Sequence, residues 1–426
     1  MHDFVYQNGI MVCEEVPLAK IAKKVGTPCY IYSFKTLVEH LQKLQRALKK
    51  LRPLVCFSMK SNSNLALCKV LVDHGAGLDI VSGGELYRAI KISAEPSKIV
   101  FAGVGKSDQE IKMALSHRIL LFNVESVAEL KKIDQIANRQ GVKADVALRV
   151  NPNVSVSTHH YIKTGLPTSK FGLDRATIIE LFNRKREFPS VSLTGIHVHI
   201  GSQITESAPF IRALKKTVAL VRELRQMGHR VRWLNIGGGL GIIYKKENPL
   251  TPQQFADAVS PILEGKGLRI ILEPGRFISG NAGILLTRVQ YIKETPAKQF
   301  VIVDASMGDL IRPSLYGAYH EILPVIKHPS PVRSHPSRTK VVDVVGPICE
   351  SGDFLGKDRH LPALKEGDLL AVMSAGAYGF TMASNYNSRP RPCEVMVRGK
   401  QFAIVRERER YPDLVRGEKI FSFMEQ

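Results

Sequence analysis

No apolar run in the 426 residues approaches the ~18 needed to span a bilayer as a helix. The N-terminal stretch MHDFVYQNGIMVCEE lacks a basic region followed by an apolar one, so no secretion signal is expected. Cysteine is scarce. The six, at positions 13, 29, 56, 68, 349 and 393, show no CxxC spacing. That argues against a zinc ribbon or disulfide scaffold, leads us to expect no metal, and fits reduced thiols in a cytoplasmic protein. Acidic residues are also few, 39 against 60 Lys and Arg, a balance of +21. Such an excess suits anionic ligands. The basic residues are nevertheless spread along the whole chain, with no aromatic interleaving and no nucleic-acid motif, which argues against nucleic acid as a partner. Their densest cluster, Lys43–Arg52, has leucines at helical spacing and reads as a solvated helix face. What is present is ordinary: 44% hydrophobic and 23% charged residues, which excludes disorder, collagen and coiled coil.

Eight short segments rich in Val, Ile and Leu punctuate the first two thirds: Leu54–Lys60, Gly77–Val81, Ile99–Val104, Leu120–Val124, Asp145–Val150, Leu193–Ile200, Arg232–Ile236 and Arg269–Glu273. Each is too short for a helix, and helical patterns such as Asn64–Leu71, Glu85–Ile92 and Ile211–Gln226 lie between them. Continuous apolar strands alternating with helices mean parallel β/α structure. Eight such units fill roughly the 250 residues of a (β/α)8, TIM-like barrel. A doubly wound sheet is the rival, but the first strand runs into Lys60-Ser-Asn-Ser-Asn and not a GxGxxG turn. After residue 283 strands separated by turns dominate: Ile284–Tyr291, Gln299–Val303, Lys340–Val345, Leu369–Met373, Glu394–Val397 and Phe402–Val405. The expected organisation is therefore a barrel over 34–283 and a mostly β, sandwich- or barrel-like domain over 284–426, joined by an N-terminal segment, 1–33. The Pro/Ser/His-rich stretch Lys327–Arg338 reads as an exposed loop.

Active sites of such barrels lie at the C-terminal ends of the strands. There this sequence places Lys60, the run His197-Val-His199-Ile-Gly-Ser202, the glycines 237–239 and 241, and Glu273-Pro-Gly275-Arg276. A triple glycine alone reads as a tight turn. After the seventh strand it leaves backbone N–H groups open to an anion, at the usual phosphate position of this architecture. A lone lysine at a barrel mouth reads as an ion pair. With a phosphate site and an acid beside it, the set fits pyridoxal phosphate: Lys60 holding the aldehyde as a Schiff base, Glu273 hydrogen-bonding the ring nitrogen, His199 packing on the ring. His197 and His199 share one strand, and one of the two is expected to face the mouth.

These residues carry a family resemblance. The segments GTPCYIYS (Gly26–Ser33), MKSNSNLALCKVL (Met59–Leu71), GLDIVSGGELYRA (Gly77–Ala89), FAGVGKS (Phe101–Ser107), RVNPNV (Arg149–Val154), THHYIKTG (Thr158–Gly165), SKFG (Ser169–Gly172), HVHIGSQI, NIGGGLG and EPGR follow one another along the chain. They are joined by RPSLYGAYHEI (Arg312–Ile322), CESGDFL (Cys349–Leu355) and AGAYGFTMASNYNSRPRP (Ala375–Pro392). In this order they resemble the fold-type-III pyridoxal-phosphate decarboxylases, most closely the diaminopimelate branch. The resemblance implies decarboxylation of meso-2,6-diaminopimelate to L-lysine and CO2, the last step of lysine biosynthesis, by a homodimer with shared active sites. It implies Lys60 as the Schiff-base lysine and His199 as the ring-stacking residue. Ser202, Gly238, Gly239, Glu273, Gly275 and Arg276 become cofactor contacts. Arg276, Arg312 and Tyr316 become carboxylate contacts, Cys349 the proton donor, Glu350 the substrate-amine contact, and Tyr378 a residue touching both cofactor and substrate. In the family Cys349 and Glu350 reach into the partner's site; as a lone cysteine, residue 349 reads as a small buried apolar side chain.

The substrate chemistry is consistent with that set. Diaminopimelate has an amino-acid group at each end, so the distal end needs a carboxylate grip and an amine acceptor. Arginine grips a carboxylate bidentately. Ornithine lacks the distal carboxylate and would leave buried donors unpaired. The sequence departs from its relatives in CFSM before the lysine and in Ser306 and Gly308 of Asp304–Asp309; neither change removes a named group. The rival readings are a decarboxylase of another diamino acid or polyamine precursor, a racemase-like activity on the same fold, and a catalytically silent cofactor-binding regulator, which retention of Lys60 and Cys349 disfavours.

Overall fold

The computed structural model describes residues 2–154, 170–327 and 339–421. Thr158–Gly165 and all but the first residue of the Lys327–Arg338 stretch lie outside them. The chain forms two compact units, one of Thr36–Asn281 and one of Met1–Lys35 with Ala282–Gln426.

The first unit is a closed barrel of eight parallel strands. In chain order they are Leu54–Ser58, Gly77–Ile80, Ile99–Phe101, Leu121–Val124, Ala144–Arg149, Val191–His197, Trp233–Asn235 and Arg269–Leu272. Closure comes from the eighth strand pairing with the first, Ile271 opposite Leu54 and Leu272 opposite Val55. The strands are buried on both faces, hence their unbroken apolar runs. Helices follow the strands, and their starts are written locally. Asn64 caps Leu65–Asp73, Ser82 caps Gly83–Lys91, Ser126 caps Val127–Arg139, and Ser107 and Thr251 form capping boxes. Helix Phe34–Ala47 buries Leu37, Leu41 and Leu44 and leaves Arg46 in solvent. Inside the barrel Cys56, Val100, Leu121, Ala147 and Ile271 form an apolar plug. Toward the C-terminal strand ends the inward side chains become polar: Asp79, Asn123, His197, Asn235 and Glu273, all buried.

The second unit is a nine-stranded mixed sheet with a small three-stranded N-terminal sheet. Its central strand, Gly283–Glu294, pairs with Gln299–Val303, Leu369–Val372 and the N-terminal strand Cys29–Ser33. Cys29–Ser33 also pairs in parallel with Cys393–Arg398. Residues from both ends of the chain, among them Leu18, Ile21, Ile31, Ile284, Leu286, Val395 and Val397, share one apolar core. One long strand, Phe354–Pro362, escapes the sequence reading. Its middle, Gly-Lys-Asp-Arg-His, is polar, Asp358 has a positive φ of 53°, and the pairing with Thr339–Val345 shifts register twice. Without alternation there is no period-2 signal to read.

Candidate active site

Lys60 sits in a single 3-10 turn, Met59–Ser61, where the first strand ends. Ser61 Oγ donates to the Ser58 carbonyl at 2.8 Å, and Asn64 starts the next helix. The lysine is thus held at the strand end and not swept into the helix. Its Nζ donates to Asp79 Oδ2 at 2.8 Å, and Ser58 Oγ donates to the same oxygen at 2.5 Å. Asp79 ends up fully buried, its Oδ1 without a hydrogen-bond partner among the described residues. Burial, reinforced by the Glu273 charge, pushes its carboxyl above the usual range, against the pull of Lys60 and Ser58.

Glu273 follows the eighth strand. Asn235 Nδ2 donates to its Oε1 at 2.5 Å and Asn123 Nδ2 to the same oxygen at 3.0 Å. His197 Nε2 lies 3.3 Å from Oε2. Burial alone would raise this carboxyl. His197 and Lys60, with the Asn235 amide, outweigh it and hold Glu273 well below the usual carboxylate range.

His199 accepts at Nδ1 from the Gly238 N–H at 3.2 Å. Burial, with Arg149 and Lys60 nearby, holds the imidazole well below its ordinary value, so it is neutral and carries its proton on Nε2. Arg149 is itself fixed by two 2.9 Å bonds to Glu125 and donates to the His199 carbonyl at 3.4 Å. One of His197 and His199 is expected to face the mouth, but both border its acid: His197 Nε2, at the end of the sixth strand, lies 3.3 Å from Glu273 Oε2, and the Lys60 and Glu273 charges both act on the His199 imidazole.

The glycine turn is a cradle. A Cβ on Gly238 would run into the Glu273 carbonyl oxygen, and Gly239, at φ 112°, would bring one to 2.7 Å from the Gly201 carbonyl. The N–H groups of Gly239 and Gly275 have no partner among the described residues. Arg276, buried, is steered from two sides. Its Nε and Nη2 donate to Ser202 Oγ at 3.2 Å each, and its Nη1 donates to Tyr244 Oη at 2.6 Å.

The other candidates lie in the sheet unit. Buried Arg312 opens the short helix Arg312–Tyr316. Its Nε donates to His320 Nε2 at 3.2 Å, and His320 Nδ1 donates to the Met373 carbonyl at 2.8 Å. Ser314 Oγ ties this helix to the Cys349–Asp353 turn through the Gly352 carbonyl, 2.6 Å away. Tyr316 is half-buried in the last position of the helix. Cys349 is exposed while the other five cysteines are buried, so it is no core side chain. Its N–H donates to Asn387 Oδ1 at 3.1 Å, and Glu350 Oε2 accepts from Tyr386 Oη at 2.7 Å. Tyr378 has a positive φ of 56°, strained backbone of the kind that gathers at functional sites.

Sequence reasoning missed Asp79, Asn123, Asn235, Tyr244, His320 and Tyr386. Three had a usable signal. Asp79, Asn123 and Asn235 are polar residues toward the ends of apolar barrel strands, which is where this architecture puts chemistry. The others are brought in by long-range packing.

The barrel mouth therefore combines a lysine on a buried acid, an anionic floor, a neutral histidine and a cradle too tight for side chains. These parts fit pyridoxal phosphate. The lysine suits an aldehyde, the glycine N–H groups a phosphate, and Glu273 a protonated ring nitrogen. Fold and site together define a cofactor-dependent barrel enzyme. Residues 34–280 match the family described as pyridoxal-dependent decarboxylase, pyridoxal binding domain. The chain is 47% identical to the diaminopimelate decarboxylase of Aquifex aeolicus, over 96% of each chain. It is 46% identical to that of Vibrio cholerae, over 97% of this chain and 98% of the relative. The crystal structure of diaminopimelate decarboxylase from M. jannaschii with L-lysine superposes with a TM-score of 0.93 at 37% identity, covering 99% of this chain and 100% of that one. The chain belongs to the diaminopimelate decarboxylase family of pyridoxal-phosphate-dependent enzymes.

Proposed function

We propose that this chain decarboxylates meso-2,6-diaminopimelate to L-lysine and CO2 as the last step of lysine biosynthesis. The observation that carries this reading is Lys60, paired with a buried Asp79, above the anionic Glu273 floor, in a chain whose full-length relatives bear that activity. When bound, pyridoxal phosphate supplies an electron sink for the pair released from the breaking C–C bond. Lys60 holds its aldehyde, and Asp79 keeps the lysine amine aimed into the mouth. Glu273 would accept the ring N–H, His199 would pack against the ring, and the Gly239 and Gly275 N–H groups would bind the phosphate with Ser202, in a turn whose tightness Gly238 permits.

The remaining residues handle the substrate. Arg276 and Arg312 grip its carboxylates, with Tyr316 and Tyr378 beside them, and Glu350 receives the distal amine. The Cys349 thiol gives its proton to the carbon that lost CO2. Both Cys349 and Glu350 are exposed in the single chain, which favours a homodimer in which each copy completes its partner's site. The free thiols and the absence, among the described residues, of any helix long and apolar enough to cross a membrane are consistent with a cytoplasmic enzyme.

A substrate panel tests the reaction: purified protein with pyridoxal phosphate and either meso-diaminopimelate, L-ornithine, L-arginine or L-lysine, with CO2 and product quantified. CO2 and lysine from diaminopimelate alone support the reading; release from ornithine instead overturns the two-arginine grip. Lys60→Ala and Cys349→Ala, each inactive, regain part of the activity when mixed under subunit exchange. No recovery counts against a shared site.

A further inference from the structure

The barrel floor holds a polar group that the reaction above does not use. Asn123 ends near the mouth on the fourth strand, His197 closes the sixth and Asn235 the seventh, and all three are buried to 1% exposure or less. Their orientations are set by the backbone. Asn235 Oδ1 accepts the Gly237 N–H at 3.0 Å, so its Nδ2 must be the atom facing Glu273. That Nδ2 also lies 3.5 Å from Asn123 Oδ1, which leaves Asn123 Nδ2 for Glu273 as well. Two neutral amides thus donate to one oxygen, Oε1, and amides donate at every pH. Oε2 receives neither amide. It faces His197 Nε2 at 3.3 Å, outside hydrogen-bond alignment, and neither His197 ring nitrogen has a hydrogen-bond partner among the described residues. A buried imidazole carrying an unused N–H is costly and calls for a reason.

We propose that Asn123, Asn235 and His197 act together as positioning residues for Glu273, the amides pinning Oε1 so that Oε2 is the oxygen offered to the cofactor ring nitrogen, with His197 supporting Oε2. The proposal rests on the reading that Glu273 meets that nitrogen. Its consequence is a carboxylate held in one plane and kept ionised. The charged or titratable groups facing it are His197, Lys60, His199, Asp79 and Cys56. Of these, His197 and Lys60 favour the anion, whereas Asp79 disfavours it.

The test uses holoenzyme carrying Asn123→Ala, Asn235→Ala or His197→Gln, with Glu273→Gln as reference. Three readouts are taken: cofactor affinity, the visible absorption band of the bound cofactor across pH, and kcat and KM for diaminopimelate. Each variant is expected to lose about tenfold in kcat with KM little changed. Its band should also gain a pH dependence that the parent lacks over the same range. Combined with Glu273→Gln, each should cost little more, because a residue acting through Glu273 has nothing left to act on. A band that stays pH-independent, or full additivity with Glu273→Gln, overturns the proposal while leaving the role of Glu273 intact. A Glu273→Gln enzyme with parental band and turnover overturns the reading beneath it. Should one alanine variant not fold, His197→Gln keeps a polar side chain of similar reach and decides the matter alone.

Discussion

Replacing His320 by leucine is the sharpest test of the substrate grip. His320 is completely buried; it receives Arg312 Nε at 3.2 Å and anchors itself to the Met373 carbonyl at 2.8 Å. Leucine fills a similar volume but leaves the arginine without that acceptor. A hydrogen bond to a charged group contributes about 1.5–3 kcal/mol, and a factor of ten corresponds to about 1.4 kcal/mol. The expected loss in kcat/KM is therefore about ten- to a hundredfold. It should fall mainly on KM, because Arg312 would hold the distal carboxylate equally before and during the bond breaking. His320→Gln, which retains an acceptor, should recover part of the loss. The assay is initial-rate lysine formation over a range of diaminopimelate concentrations, with thermal unfolding run in parallel. An unchanged KM in a folded His320→Leu enzyme, alongside a raised KM in Arg312→Ala, would refute the view that His320 aims the arginine.

Two other outcomes follow from single contacts. Asp309 is buried, and burial pushes its carboxyl up to about 6 despite the Ser306 N–H and hydroxyl donating to it. An acid whose value is raised on folding binds its proton more tightly in the native state, so this contribution is complete below the ordinary value of 3.8 and is lost as pH rises through about 6. About two pH units at about 1.4 kcal/mol each give ~3 kcal/mol. Asp309→Asn should flatten this part of the stability profile, gaining on the parent above pH 6 in melting experiments; parallel curves would contradict the assignment. Gly238→Ala should lose cofactor on dialysis and about 1–3 kcal/mol of stability. Its new methyl meets the Glu273 carbonyl, backbone that cannot retreat because the Glu273 N–H is bonded to the Gly237 carbonyl at 2.7 Å. Gly105→Ala, which faces open space, is the control and should be silent in both measurements.

The barrel was legible because parallel strands covered on both faces must be apolar throughout, and the caps between them are short-range chemistry: Asn64, Ser82, Ser107, Ser126 and Thr251 announce their helices in place. Strand Phe354–Pro362 was not legible, since a bulged and half-polar strand carries no alternation. Among the candidate site residues, Lys60, His199, the glycine turn and Glu273–Arg276 could be found because barrel topology sends every strand end to one rim, so local position predicts spatial position. Arg312, Cys349 and Tyr378 were found through resemblance, because nothing local distinguishes a working arginine, cysteine or tyrosine from a structural one.

The sequence by itself determined the strand and helix order of the barrel and, through its strand-end motifs, the cofactor class, while the substrate family was read through resemblance. Only the tertiary structure decided which groups control the chemistry-bearing ones: Asp79 under Lys60, two asparagines on one oxygen of Glu273, Ser202 and Tyr244 around Arg276, and His320 behind Arg312. Asn123 and Glu273 stand 150 positions apart. No spacing rule connects them, since their contact exists only once the eighth strand has closed on the first.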